Sequence, residues 1–515
     1  MTTVSVVRRL AIVLAGFLAA VGLWPVLPAA QAAPGCGSAD KPERGIPGEV
    51  PLADQRSGRA DQGYNCGVSL VGYNSLGARG GNANMAWSQQ CAYIAGDRGV
   101  AVVDVRDPTK PRLVRTLHGP GSNVSLETIA AVDAGGRHLL ATGRYGIGGK
   151  GGEPGTAPVE FYDTTNCANP QRLSIFQFPA NVHGLTFSPD GQRLFSTLPL
   201  QVADVRNPAK PVYLGNIEDD LEAAGVNHLQ YAHEATLSPN GNRLYVGNQE
   251  GNEELLVIDI HNWPQRPATV LGRAPLPGHS IRLATINGKR YLLNSDESVV
   301  NFTAKGCLNP RMTPFAGAAQ PYMTDISNEY KPHAVGQFHL PINDAQNCRH
   351  EVADYENASV HYQDVDDLEH TTFGLLSMWN AGMRIVDLRN PANPREVAYF
   401  NPGRFKFKNG IAGFRSTDGY GRLLRLQSWT NLDQAWAHIR YQPATGLIWL
   451  ATQSGGFWVL ELEPQVRAAL GLPATHSYHP HGAVPRPDAT NLQISASDAA
   501  SPMYCTVGPV AAKLG

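Results

Sequence analysis

Residues 99–117 read GVAVVDVRDPTKPRLVRTL, an apolar run that ends at Asp104 and is followed by two prolines. The same plan recurs at residues 200–217 (LQVADVRNPAKPVYLGNI) and at residues 383–400 (MRIVDLRNPANPREVAYF). Each copy is typical of an apolar strand, a tight turn and a second strand, because Asp and Asn favour turns and Pro cannot sit inside a sheet ladder. The chain therefore repeats one strand–turn–strand unit.

Three weaker copies of this unit place the equivalent aspartate at Asp163, Asp259 and Asp325. Along the six copies, successive aspartates are 59, 41, 55, 66 and 62 residues apart. This spacing is too even for unrelated domains. It predicts one four-stranded blade per repeat, with insertions.

A second marker precedes these turns. HGLTFSPDG at residues 183–191 and HEATLSPNG at residues 233–241 each indicate a strand followed by a tight turn. The units beginning near these two histidines and near five further positions make seven: Met85, Glu127, His183, His233, His279, His361 and His438.

The seventh unit lacks the strand that follows the turn, and residues 68–76 (VSLVGYNSL) have the character of that missing strand. We therefore predict an all-β fold, a seven-bladed β-propeller of four-stranded antiparallel blades in which the N-terminal strand closes the last blade. A ring of six or eight blades and a linear β-solenoid are the alternatives.

The N-terminal residues 1–33 contain two arginines, an apolar run interrupted near its end by prolines, and small residues at the end, as in a cleaved secretory signal. A retained membrane anchor is the alternative, but the run is slightly short for one. We predict export to the cell envelope or beyond, with no membrane span after cleavage. An extension over 34–63, the propeller over 64–464 and a tail over 465–515 would follow.

Composition limits the partners. The 515 residues carry 42 Lys and Arg against 44 Asp and Glu, so no basic surface for nucleic acid is expected. A hydrophobic fraction of 42% excludes general disorder. The motifs G-x-S-x-G, H-E-x-x-H and G-x-x-x-x-G-K-[ST] are absent from the sequence, which removes the best evidence for common hydrolase, zincin and P-loop chemistries.

The chain has seven cysteines, and an exported protein meets an oxidising compartment in which disulfides are expected. Cys307 and Cys348 fall in two long inserts that are predicted to lie on the same face, so they are one candidate pair. A second bridge is expected near the ring closure, between Cys36 or Cys66 on one side and Cys91 or Cys505 on the other.

Five histidines occupy one register at the start of the first strand of their blades, with one glutamate near the same level: His183, His233, His279, His361, His438 and Glu127. The first strand of each blade lines the central channel, so these side chains should converge at one mouth. Because neutral imidazole is the commonest transition-metal ligand, the sequence predicts a site for Cu, Zn, Fe or Mn there. The alternative is a histidine inherited by blade duplication that only hydrogen-bonds a neighbouring turn.

Strands ending in VAVVD, LLVID and MRIVD at residues 100–104, 255–259 and 383–387 resemble the LVIVD-repeat β-propeller family. The resemblance covers roughly residues 64–464; it implies the propeller fold and no single activity. A propeller with histidines at its axial mouth is also distantly similar in architecture to the selenium-binding/methanethiol oxidase family and to the nitrous oxide reductase propeller.

Two functions are consistent with these patterns. The first is an exported metalloprotein whose open coordination position would serve oxidase- or hydrolase-type chemistry. The second is a metal-free scaffold of the cell envelope that recognises a peptide, glycan or protein, with aromatic anchors such as Phe315, Tyr322 and Tyr355 projecting from the inserts. Both place a small molecule or an envelope component on the histidine side of the propeller.

Overall fold

A computed structural model describes residues 36–79, 81–96, 98–123, 125–144, 157–226, 232–248, 254–295, 320–344, 347, 358–404, 416–417, 423–424, 432–475 and 478. The chain divides into two units, Met1–Gln31 and Ala32–Gly515, and all described residues belong to the second. The predicted signal segment and the candidate pair Cys307 and Cys348 lie outside the described residues.

The first elements precede the ring. They are helix α1 (Leu52–Ser57), a 3-10 turn (Arg59–Gln62), strands β1 (Tyr64–Cys66) and β2 (Val68–Asn74), and a second 3-10 turn (Leu76–Ala78).

Seven antiparallel sheets follow along the chain. The first blade contains β3 (Asn82–Ser88), β4 (Cys91–Gly96), β5 (Val100–Asp104) and β6 (Arg112–Leu117). The second contains β7 (Ile129–Ala134), β8 (Arg137–Gly143), β9 (Ala157–Asp163) and β10 (Gln171–Phe178). The third contains β11 (Leu185–Phe187), β12 (Arg193–Ser196), β13 (Gln201–Asp204) and β14 (Val212–Asn216), and helix α2 (Ile217–Ala223) follows it.

The remaining four blades repeat this order. The fourth contains β15 (Ala232–Leu237), β16 (Arg243–Asn248), β17 (Glu254–Asp259) and β18 (Thr269–Ala274). The fifth contains β19 (Ser280–Ile286), β20 (Lys289–Ser295), β21 (Tyr322–Asp325) and β22 (His333–Gln337), followed by a 3-10 turn (Pro341–Asn343). The sixth contains β23 (Gln363–Val365), β24 (Phe373–Ser377), β25 (Met383–Asp387) and β26 (Arg395–Asn401). After a two-stranded hairpin of β27 (Ser416–Thr417) and β28 (Leu423–Leu424), the seventh contains β29 (Arg440–Gln442), β30 (Leu447–Thr452) and β31 (Gly456–Leu462), and helix α3 (Pro464–Leu470) ends the described fold.

The N-terminal strand β2 closes the last blade, as predicted. It pairs antiparallel with β31, with Val68 opposite Leu462 and Asn74 opposite Phe457. The seventh sheet therefore has four strands, and chain termini far apart in sequence share one hydrogen-bonded ladder. Strand β1 adds a fifth strand to the sixth blade by pairing with β26, which the sequence did not indicate.

The apolar core lies between neighbouring blades. One cluster, for example, joins Phe195 and Val202 of the third blade to Leu244, Leu256 and Ile258 of the fourth, all at most 1% exposed. The innermost strands of successive blades also contact one another, from β3 to β7 and onward to β23. No helix within the described ranges is long and apolar enough to cross a lipid bilayer.

Every blade has a β-bulge at the same place in its outermost strand. In blades two, five and seven the residue after the bulge lies against the Pro-flanked turn of the next blade. A Cβ atom on Gly72 or Gly336 would lie 2.1 Å from the carbonyl oxygen of Pro108 or Pro391 respectively. Glycine is required at these two positions because the neighbouring backbone approaches so closely. In the second blade Ser174 takes the same place and donates a hydrogen bond to the facing proline carbonyl at 2.6 Å.

Two disulfides are described, and neither joins the cysteines as expected. Cys36 pairs with Cys66, whose Cα atoms are 4.7 Å apart, and Cys91 pairs with Cys167 across 5.7 Å. The expected bridge from Cys36 or Cys66 to Cys91 is wrong because β1 lies on the sixth blade, while Cys91 begins β4 of the first blade and faces the turn that follows β9 of the second.

A buried ion triad attaches the N-terminal extension to the sixth blade. The guanidinium of Arg384 is fully buried, forms an ion pair with Glu43 and lies 3.3 Å from Glu396. Burial raises the pKa of Glu396 to about 7, although Arg384 opposes this shift. The folded protein therefore keeps a proton on Glu396 that the unfolded chain loses above its ordinary pKa of 4.5.

Gly336→Ala should lower the free energy of unfolding by about 1–3 kcal/mol, because the added methyl must displace the facing turn of the sixth blade. Ser174→Ala is the control: its Cβ is already accommodated, and it should cost only about 1 kcal/mol for one lost hydrogen bond. Denaturant unfolding of both variants measures the difference. Equal stabilities would contradict the interlocking of turn and bulge.

Glu396→Gln should have the stability of the parent protein below about pH 4.5 and exceed it by about 1–3 kcal/mol above pH 7. The variant is the more stable protein at high pH because the pKa of Glu396 is raised on folding. The parent loses stability as the pH rises from 4.5 to the folded-state pKa of about 7, whereas glutamine does not ionise. Unfolding free energies at pH 5 and pH 8 test this, with Glu369→Gln at an exposed position of the same blade as the control. A pH-independent difference would refute it.

Candidate metal centre

Five of the six side chains named from the sequence come together on the channel. Each stands at or just before the innermost strand of its blade: Glu127, His183, His233, His279 and His361 in blades two to six. The backbone places three of them alike, because the amides of His183, His279 and His361 donate to the second strand of their own blade at 2.8–3.1 Å. Equivalent positions in a closed ring of blades face a common centre.

The atoms that converge are the Nε2 atom of each imidazole and the Oε2 atom of the Glu127 carboxylate. Nε2 of His233 lies 2.7 Å from Nε2 of His183 and 3.1 Å from Nε2 of His279. The Oε2 atom of Glu127 lies 3.2 Å from His233, 3.7 Å from His183 and 3.8 Å from His361, in each case to Nε2. Atoms of Glu127, His183 and His233 lie close enough together to share one metal ion.

Backbone carbonyls set the orientation of two of the rings. Nδ1 of His279 lies 2.9 Å from the carbonyl oxygen of His361, and Nδ1 of His361 lies 2.6 Å from that of Trp436. A carbonyl only accepts, so each Nδ1 carries the hydrogen, and in the neutral ring each Nε2 presents its lone pair. Those lone pairs are the ones directed to the group.

The five side chains are buried, and burial and neighbouring charges shift the pKa values of Glu127 and His233. The five side chains belong to residues at most 2% exposed. Burial lowers the pKa of His233, and the neighbouring His279 and His183 lower it further, so this imidazole is neutral. Burial alone would raise the pKa of Glu127, but His361, His233 and His183 outweigh it and hold that pKa well below its ordinary value. An ionised carboxylate thus lies among imidazoles, one of which, His233, is neutral.

His438 is not brought to this group. The strand pairings of the third and seventh blades can be aligned on Asp204 and Glu461, the acidic residues near the ends of their third strands. In this alignment Ala437, and not His438, occupies the position of His183. His438 is therefore one residue out of register. The ring of His438 lies instead beside Arg282 and Asp364, at 2.8 Å and 3.1 Å from its Nδ1. Burial and Arg282 disfavour its protonation, but Asp364 and Glu234 outweigh them and raise the pKa of His438.

Sequence reasoning missed the aromatic residues of the centre. The hydroxyl of Tyr362 donates to Oε2 of Glu127 at 2.8 Å. The indoles of Trp379 and Trp436 lie 4.9 Å and 5.2 Å from the ring of His361, centroid to centroid. The one available signal was adjacency in the chain, since Tyr362 follows His361 directly. Nothing local to Trp379, in the loop after β24, indicated its position.

The predicted aromatic anchors on the inserts have no support. Phe315 and Tyr355 lie outside the described residues. The expectation that Tyr322 projects from its insert is wrong, because Tyr322 begins β21, pairs with Asn294 and Gln337 and is only 7% exposed. The first residue of a central strand packs between blades and cannot reach a partner.

Comparison with known proteins agrees with the fold. The LVIVD repeat model matches residues 80–118 and 376–401, which cover repeats of the first and sixth blades. No curated protein matches the chain. A chain in a solved structure described as "Crystal Structure of Mitotic Checkpoint Complex" is similar over 89% of this chain and 99% of that chain, with 11% identity and a TM-score of 0.46. The match to the LVIVD repeat model, together with the strand order, shows that this chain contains LVIVD repeats within a seven-bladed β-propeller.

Tyr362→Phe should lower the free energy of unfolding of the metal-free protein by about 1–3 kcal/mol, because the buried carboxylate of Glu127 loses a hydrogen-bond donor. Tyr330→Phe, at a residue 69% exposed, is the control and should have no measurable effect. Chemical denaturation of chelator-treated protein gives both values. Full stability in Tyr362→Phe would show that its hydroxyl does not support the carboxylate.

Proposed function

We propose that this protein is an exported β-propeller metalloprotein that holds one transition-metal ion, Cu, Zn, Fe or Mn, on its channel axis. The residues that would hold the ion are His183, His233, His279, His361 and Glu127. The observation that carries the proposal is the convergence of imidazole Nε2 atoms and one carboxylate oxygen from consecutive blades, each 2.7–3.8 Å from at least one other. The ligand atoms of Glu127, His183 and His233 all lie within 4.8 Å of one another.

Electrostatics favours a cation at this place. A buried carboxylate needs a positive charge close to it, and the neutral ring of His233, which lies 3.2 Å from Glu127, supplies none. Lone pairs on Nε2 of His183 and His233 at 2.7 Å would repel unless a proton or a metal ion lies between them. One divalent ion would satisfy the carboxylate and the nitrogens together.

The spacing of the donors is close to that of a coordination shell. Ligands at about 2.0–2.1 Å from a metal lie about 2.9–3.4 Å from one another in octahedral to tetrahedral arrangements. The Nε2 atoms of His233 and its two neighbours are 2.7 Å and 3.1 Å apart. Small outward movements of these side chains would accommodate the ion.

When bound, the metal would supply Lewis-acid or one-electron chemistry at an open position. The protein's own contribution is separate from that chemistry. Hydrogen bonds from Nδ1 to backbone carbonyls keep two ligands in one tautomer, Tyr362 orients Glu127, and burial excludes water. The two disulfides support export, because such bonds persist in oxidising compartments.

Protein purified from its native compartment should contain close to one equivalent of a transition metal by elemental analysis. His361→Ala should lower metal affinity by more than about 100-fold, since even outer partners of metal ligands cost about 10–100-fold. His438→Ala is the matched control, because the structure places that ring outside the centre, and its metal content should equal the parent's. Circular dichroism shows whether both variants keep the fold.

Less than about a tenth of an equivalent of metal, with no rise in melting temperature on adding Cu, Zn, Fe or Mn, would contradict the proposal, because a bound ion must stabilise the folded state. The protein would then be a metal-free envelope scaffold.

A further inference from the structure

A second buried cluster of charged side chains lies along the channel next to the metal centre. It consists of Glu234, Arg282, Asp364 and His438, contributed by the fourth, fifth, sixth and seventh blades. We call these four residues the ionic plug. None of them is needed to hold the metal in the function proposed above.

The ionic plug lies on one side of the metal centre. Glu234 follows the ring residue of its blade by one position, and Arg282 and Asp364 follow theirs by three, toward the hairpin that ends the innermost strand. Those hairpins and the Pro-flanked turns share one face, because residues of both line a single cavity of about 400 Å³ between the third and fourth blades. We call this the turn face; the other is the histidine face.

The side chains of the ionic plug contact one another across the channel, from four of the seven blades. Arg282 forms an ion pair with Glu234 at 2.7 Å and with Asp364 at 2.9 Å. The ring of His438 lies 2.8 Å from Arg282, 3.1 Å from Asp364 and 3.4 Å from Glu234. The contact between Glu234 and His438 joins the fourth and seventh blades, which are not neighbours. Side chains from opposite walls therefore meet in the middle.

Solvent exposure falls abruptly across this layer. The side chains of Arg282, His438, Asp364 and Glu234 are 21%, 13%, 11% and 8% exposed. The residues of the metal centre, one layer further in, are at most 2% exposed. The side chains of the ionic plug are thus partly in contact with solvent, whereas the residues of the metal centre are almost completely shielded from it.

From these contacts we infer that the ionic plug closes the turn-face end of the channel, so that ions and small ligands do not reach the centre from the turn face. The closure is inferred from the contacts alone. That the excluded species include metal ions rests on the proposed function. Arg282 is its central residue, because it touches the other three. Its role is to exclude solvent from the centre, and it touches none of the metal-binding atoms.

Two triple variants distinguish the volume of the plug side chains from their charge as the cause of closure. Glu234→Ala with Arg282→Ala and Asp364→Ala removes both the charges and the volume of three residues. Glu234→Gln with Arg282→Met and Asp364→Asn removes the same charges and keeps the volume. Each is loaded with metal, mixed with excess EDTA and followed by the rate of metal loss. The alanine variant should lose metal at least about tenfold faster than the parent, and the matched variant within about twofold of it.

A second readout uses the metal-free protein. Diethyl pyrocarbonate modifies accessible imidazoles, and peptide mass mapping reports His183, His233, His279 and His361 separately from His438. We expect these four to be protected in the parent and in the matched variant and to be modified in the alanine variant. If no preparation binds metal but this pattern appears, the closure stands and the proposed function falls.

Circular dichroism and the unfolding free energy show whether each variant folds. If the alanine triple variant does not fold, His438→Ala can replace it. This variant removes one of the four side chains and leaves the ion pairs of Arg282 with Glu234 and Asp364 in place. It should raise the modification of the four histidines. Parent-like extraction and labelling in a folded alanine variant would overturn the inference. Equal acceleration in both triple variants would also overturn it, because lost charge pairing rather than opened space would then be the cause.

Discussion

Closure of the ring by β2 and β31 is the constraint on which the rest of the structure depends. This ladder joins Val68 to Leu462, nearly four hundred residues away in the chain, and it gives the last blade the strand it lacks. A closed ring leaves no blade with an unpaired inner face, so every blade packs between two others. Only in that closed arrangement do equivalent positions of different blades point to one axis. The side chains of the candidate metal centre converge because of this symmetry and not because of any local motif.

Within the ring, neighbouring blades are held at a close distance by backbone contacts. In blades two, five and seven the residue after the bulge lies against the Pro-flanked turn of the next blade, and Gly72 and Gly336 allow carbonyl oxygens to approach where a side chain would not fit. The turn motif that reveals the repeat in the sequence is thus also the surface on which the blades pack. A single feature explains both the regular spacing along the chain and the regular geometry around the axis.

The channel is organised in layers of different electrostatic character. Imidazoles surround the ionised Glu127 in the driest layer, whereas Glu234, Arg282 and Asp364 pair their charges in the adjacent, slightly wetter one. The first layer offers imidazole nitrogens and one carboxylate, which are donors that suit a cation. In the second layer the charges of Arg282 and the two carboxylates are paired with one another, and the side chains are suited to closing the channel. His438 belongs to the second layer, and its raised pKa reflects the carboxylates there.

Sequence alone determined the architecture, because repeated Asp–Pro turns and His-led strands have local physical causes that recur in each blade. It also identified Glu127 and four of the five proposed histidine ligands, since a shared offset from a turn implies a shared place on the axis. Only the tertiary structure decided that His438 stands one residue out of register, because strand pairing and not spacing from a glycine sets which residue faces the centre. It alone also placed Tyr362, Trp379 and the partners of Cys91 and Cys36, since contacts between blades depend on how sheets pack and leave no pattern within a single strand.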